Sequence, residues 1–203
     1  MLVDLLRDRR WLRRLLSGLT VVLILGGVGL LGLPFATNMW TTRIQQRLDE
    51  QIASPELQQA YKEHKVETGD SLTRIKIPAI GLDTVVVEGI TPSALRAGAG
   101  HYPQSSLPCE GGNVAIAGHR TTYGRPFGNL DQLKPGDTIE LTTPIGGCVY
   151  QVSKAPFVVS PTDLSVIDPT GERSLTLTTC HPKGSAAQRL VIRGTWVKDV
   201  KAA

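Results

Sequence analysis

The sequence predicts an all-β domain, closed or sandwiched, standing behind one N-terminal transmembrane helix. Two patterns carry this reading. From residue 71 onward, eight short runs of alternating or β-branched residues are separated by turn signals. Before them, a long apolar stretch follows a cluster of arginines. The 203 residues leave room for one enzyme-sized domain and an appendage, and 21 Gly and 13 Pro supply the turns an all-β chain needs.

The first element is the anchor. No charged residue occurs from Leu15 to Thr42, and the apolar heart, Leu15 to Phe35, is 21 residues long. As a helix at ~1.5 Å per residue it spans roughly 30 Å, about the hydrocarbon thickness of a bilayer. A cleaved signal would have an apolar region of ~7–15 residues and a small-x-small site. Pro34-Phe35-Ala36-Thr37 offers no such site, so an uncleaved anchor is expected. Arg7, Arg9, Arg10, Arg13 and Arg14 precede it, against Arg43 and Arg47 beyond, which sets the N-terminus in the cytoplasm and the rest outside. The expected organisation is a basic tail at 1–14, a signal-anchor at 15–37 contacting the lipid bilayer, a polar stalk at 38–70 and the β domain at 71–203. Much of the net charge of +4 sits in the arginine cluster. No basic run interleaved with aromatics follows it, so no nucleic-acid partner is expected.

In the stalk, Trp40, Ile44, Leu48 and Ile52 recur every fourth residue, predicting a thin amphipathic helix interrupted near Ser54-Pro55. The predicted strands are 72–77, 84–87, 113–117, 138–141, 149–152, 157–159, 175–179 and 190–197. Thr91 as N-cap, Pro92 at the first helical position and Gly98 as a stop predict one short helix.

The chemistry concentrates at strand ends. Leu175-Thr176-Leu177-Thr178-Thr179-Cys180-His181-Pro182 ends a β-branched strand in a cysteine, and Asn113 to Arg120 is an apolar strand that delivers His119. Arg189 and Arg193 lie on a third strand. One thiol, one imidazole and one guanidinium meet the needs of thiol acyl transfer: a nucleophile, a proton donor for the leaving amine, and a cation for the oxyanion. With ordinary pKa values of ~8.5 and ~6.5, uncoupled groups are thiolate plus imidazolium in only about 1% of molecules. Alternation does not separate Arg189 from Arg193, since even spacing puts both on one face. His181 points opposite to Cys180 on an extended chain, which suits a supporting role.

The Thr-Leu-Thr-Thr-Cys element, the Ala-Gly-His-Arg-Thr-Thr-Tyr-Gly element and the downstream Arg resemble the signatures of sortases, which anchor surface proteins to the cell wall of Gram-positive bacteria. The resemblance runs from about Leu72 to Val197, and its wording is most similar to class E, with class D next. It implies an eight-stranded β-barrel with short helices and no cofactor. It further implies catalytic roles for Cys180, His119 and Arg189 and links Tyr123 to the sorting-signal preference; Thr179 and His181, on either side of Cys180, are further substrate-binding candidates. The implied substrates are surface proteins with a Leu-Pro-x-Thr-Gly or Leu-Ala-x-Thr-Gly sorting signal, cut between Thr and Gly, and the acyl acceptor is a cell-wall precursor amine. A pilin polymerase with a Lys acceptor and a non-catalytic binding module are the alternatives. Residues 54–71 contain nothing like the lid loop of pilin-type enzymes, and a pure binder needs no such triplet.

Cys109 and Cys148 stand apart from this set. Outside the cell they are a candidate disulfide, with two free thiols as the alternative. Pro108-Cys109 departs from the Pro-Gly that sortases usually carry at this loop. Neither Cys-x-x-Cys nor His-x-x-x-His spacing occurs, so no metal is expected.

Overall fold

A computed structural model describes residues 10–201, so Arg7 and Arg9 of the basic tail lie outside the described residues. The chain divides into two compact units, residues 1–39 and 40–203. Helix α1 (Arg10–Ile52) forms the described part of the first unit. Within it Trp11–Gly29, 19 residues, is long and apolar enough to cross a membrane. Leu15, Leu19, Val22, Leu25 and Val28 all stand exposed rather than packed on protein.

In the second unit the end of α1 is followed by α2 (Pro55–Lys62), whose N-cap Ser54 accepts a hydrogen bond from the Leu57 amide. Nine strands follow: β1 (Ser71–Ile77), β2 (Leu82–Glu88), β3 (Ala99–His101), β4 (Asn113–Ala117), β5 (Thr138–Thr143), β6 (Gly146–Val152), β7 (Phe157–Val159), β8 (Ser174–His181) and β9 (Gln188–Val200). All eight predicted strands form, with ends displaced by up to three residues. The predicted helix is α3 (Pro92–Ala97), with Thr91 Oγ1 capping the Ala94 amide.

The strand order β6-β5-β1-β2-β3-β4-β8-β9 closes on itself because β6 also pairs with β9. That ring is an eight-stranded barrel, and β7 adds to the part of the β9 edge that β6 leaves free. The ring contains β3, which the sequence reading does not include, and excludes β7, which it does. β3 hides in Gly98-Ala99-Gly100 because glycine reads as a turn. A Cβ on Gly100 would lie 2.3 Å from the Gly89 carbonyl oxygen, so here glycine permits close backbone approach within a sheet.

The barrel is filled by Ile75, Ile77, Ile116, Leu141, Tyr150 and Leu177, among others, all at most 1% exposed. Residues 40–62 lie in the same compact unit as the barrel. Leu48 and Ile44 pack on Val85, Val87 and Ala94. Gln45 joins this contact with its whole amide, donating to the Ala97 and Val85 carbonyls at 2.8 and 3.2 Å and accepting from the Val85 amide at 2.7 Å. Cys109 and Cys148 form a disulfide, Cα–Cα 5.4 Å, that ties the loop before β4 to β6.

Candidate active site

Three neighbouring strands, β4, β8 and β9, define the site. The side chains of Val114 and Ile116, Leu175 and Leu177, and Leu190 and Ile192 fill the barrel. Strand alternation therefore turns Ala115 and Ala117, Thr176, Thr178 and Cys180, and Arg189, Val191 and Arg193 to the other face. On that face Ala115, Val191, Val166 and Ile167 form an apolar floor, joined by Tyr102, Phe157 and Val159. Tyr102 Oη lies 3.1 Å from Thr178 Oγ1.

Cys180, the free cysteine, is half-buried at the end of this floor. Antiparallel pairing sets Arg189 directly across from it. On its other side β4 and β8 run parallel with Ala117 opposite Thr178. Two residues beyond that pair stand His119, just past the end of β4, and Cys180, still on β8. The Gly118 amide continues the ladder to the Thr178 carbonyl at 3.1 Å. Register thus sets Cys180 level with Arg189, while the chain that carries His119 leaves β4 one residue after Ala117, beside Thr178. Register also separates the two arginines. Arg193 sits opposite Thr176, a full four residues from the Cys180 level, and its guanidinium donates to Thr176 Oγ1 at 2.6 Å. Arg189 holds the carbonyls of Ala186 and Gln188, both at 3.1 Å.

The loop carrying His119 is held tightly. A Cβ on Gly118 would lie 2.7 Å from the Phe127 ring, and the Phe127 amide donates to the His119 carbonyl at 3.1 Å. Tyr123 and Arg125 adopt left-handed backbone, φ 49° and 43°, a conformation that costs energy for residues with a side chain. The turn brings the Tyr123 ring to 5.1 Å from that of His119, and Arg96 of α3 lies 5.7 Å from the Tyr123 ring centre. Of the other candidates, Thr179 is buried and donates to the Gly118 carbonyl at 2.8 Å. His181, on the opposite side of the strand, meets Arg120 at 2.9 Å. Among the described residues no cluster of His, Cys, Asp or Glu could hold a metal ion.

A sortase-domain family profile matches residues 75–197. The chain belongs to the sortase family. It is 30% identical over 192 residues to Sortase SrtE1 of Streptomyces coelicolor, covering 84% of this chain and 54% of that protein. With Sortase D of Bacillus subtilis it shares 36% identity over 134 residues, covering 64% of this chain and 66% of that one. The chain thus spans about half the length of the first relative and about two thirds of the second. Among solved structures, a Clostridium perfringens sortase D5 transpeptidase superposes with a TM-score of 0.67 at 28% identity, over 80% of this chain and 99% of that one. Sortase E from Streptomyces avermitilis gives 0.61 at 34% identity, over 66% and 93%.

Two arginines near this sortase-family site escape sequence reasoning. Arg120 is 5% exposed, and its position straight after His119 is the only signal that it faces the other way. Nothing in the sequence links Arg96 to His119. Yet His119 is held below its ordinary value of 6.5, first by burial and then by the charge of Arg96. Both causes disfavour the imidazolium, so the resting ring is predominantly neutral at pH 7. Arg96→Gln removes the smaller cause, and the His119 midpoint in an NMR titration should rise while staying below the ordinary value. A midpoint that stays put or falls would exclude Arg96 as the charge acting on His119.

Proposed function

We propose that the chain is a membrane-anchored cysteine transpeptidase acting on a Leu-Ala-x-Thr-Gly or Leu-Pro-x-Thr-Gly sorting signal. The observation that supports this reading is the pairing of Cys180 with Arg189 across β8 and β9, beside a parallel β4–β8 register that ends at Ala117 and Thr178, two residues before His119 and Cys180. Neutral His119 takes the Cys180 thiol proton as the sulfur attacks the Thr carbonyl, forming a C–S bond and an oxyanion that Arg189 stabilises. Collapse breaks the Thr–Gly bond as His119 protonates the leaving amine. A cell-wall precursor amine then attacks the thioester, His119 takes its proton and returns it to the departing Cys180 sulfur, which restores the resting site. Tyr123, packed on His119, borders the signal's second residue. Thr179 and His181 support the site from behind, through Gly118 and Arg120.

Trp11–Gly29 serves as the anchor in this reading, since at ~1.5 Å per residue it spans roughly 28 Å, close to a bilayer core of about 30 Å. The arginines around its N-terminal end, Arg10, Arg13 and Arg14 among them, favour a cytoplasmic N-terminus, which leaves the barrel outside, where sorting signals and wall precursors meet.

The test incubates the full chain in detergent with each peptide and a glycine-based amine. Cleavage between Thr and Gly with transfer to the amine is expected, and no cleavage of either peptide by folded protein would overturn the reading. Arg189→Ala should lower kcat/KM by about 10²–10³, the usual cost of removing an oxyanion donor. Arg193→Ala, with its charge spent on Thr176, should cost less than ~10-fold. The reverse order would move the role to Arg193.

A further inference from the structure

We propose that Arg120 is the residue that positions the nucleophile, working from beneath the sheet without touching substrate. The inference rests on Cys180 being the nucleophile. Just past the end of β4, the His119 ring lies against Tyr123 while Arg120 reaches His181. His119 goes to the site. Arg120 runs underneath, its side chain 3% exposed, and its guanidinium ties the end of β8 to Asp131. Nη1 donates to the Cys180 carbonyl at 3.2 Å and to His181 Nδ1 at 2.9 Å. Nη2 pairs with Asp131 Oδ2 at 3.3 Å. Asp131 in turn reaches Lys183 at 3.7 Å, on the loop that leads from β8 to Arg189.

These contacts matter because regular pairing gives out here. The last β8–β9 pair is His181 with Gln188, and β4 has already ended at Ala117. Cys180 is thus one residue from the end of its strand, where backbone freedom would blur the attack geometry. An arginine is suited to the task, since it is always charged and presents its donors in a rigid fork. Because it only donates, His181 Nδ1 accepts, which fixes the His181 ring proton on Nε2. The dipeptide His119-Arg120 therefore does two jobs at once: one side chain supplies the proton and the other holds the backbone that carries the thiol.

The test compares wild type, Arg120→Ala, Arg120→Lys and Asp131→Asn in the full chain, by peptide kinetics and by amide hydrogen exchange without peptide. Displacing the nucleophile by about an ångström should cost kcat roughly 10–100-fold. KM should stay within ~3-fold for Arg120→Ala, with smaller losses of the same kind in the other two. The Cys180 and His181 amides should exchange at least ~10-fold faster, while Leu175 and Leu177, deep in the same strand, keep their wild-type rates. If Arg120→Ala does not fold, Arg120→Lys is read by the same criteria. Unchanged kcat in a folded variant overturns the proposal, as does exchange that accelerates equally along β8. Inactive wild type would sink the functional reading instead, and the exchange data, which need no turnover, would still decide the role of Arg120.

Discussion

Cys180→Ala should abolish sorting-signal cleavage, with kcat/KM falling at least ~10⁴-fold to background, while the protein stays folded. The loss is total because no other group can take over. Cys109 and Cys148 are bonded to each other, and their disulfide belongs to the barrel rather than to the face that holds His119 and Arg189. The fold survives because Cys180 is half-buried at a strand end and makes no disulfide. Truncating one partly exposed sulfur costs less than about 1 kcal/mol. Circular dichroism should give a melting temperature within a few degrees of wild type, beside a peptide assay that reads zero. Residual cleavage above a few per cent would move the nucleophile elsewhere.

The second large effect concerns stability. The Cys109–Cys148 bond closes a loop with a sequence separation of 39, which in the chain-entropy account stabilises the fold by roughly 4 kcal/mol. For a domain of this size that corresponds to about 10 °C in Tm. The tethered loop has other anchors: Tyr61 Oη donates to the Pro108 carbonyl at 2.6 Å, and the Arg173 guanidinium holds the Cys109 carbonyl. Tyr61 is 1% exposed, and burial raises its phenol pKa, so it remains a neutral donor across the accessible pH range. The Cys109→Ser, Cys148→Ser double variant should therefore melt about 10 °C lower yet keep wild-type activity at 25 °C. Reducing agent should lower the wild type to the same value and leave the variant unmoved. A drop of less than about 3 °C would show that these anchors alone hold the loop.

Local pattern made most of the fold legible. Strands announced themselves by β-branched runs between glycines and prolines, and α3 by Thr91, Pro92 and Gly98. What remained hidden was set by contacts between distant residues. β3 was obscured because Gly100 serves backbone approach, not a turn. Barrel closure depends on β6 meeting β9, a pairing no local pattern encodes. The helical segment read as a stalk gave no hint that Gln45 latches onto the backbone at Val85 and Ala97. At the site, the residue types and strand ends pointed to Cys180 and His119. Parity alone left Arg189 and Arg193 equivalent, and only the β8–β9 register distinguishes their levels. Arg120 showed in the sequence only its charge and its place after His119, because its partner is a carbonyl 60 residues away.

The most direct measurement of the central claim is the intact mass of the full chain after brief mixing with a sorting-signal peptide and no amine. The account predicts an added mass equal to the peptide acid up to its Thr less one water, mapped by fragmentation to Cys180 and removed on adding an amine. Folded protein that gains no mass, or gains it anywhere but Cys180, would contradict it.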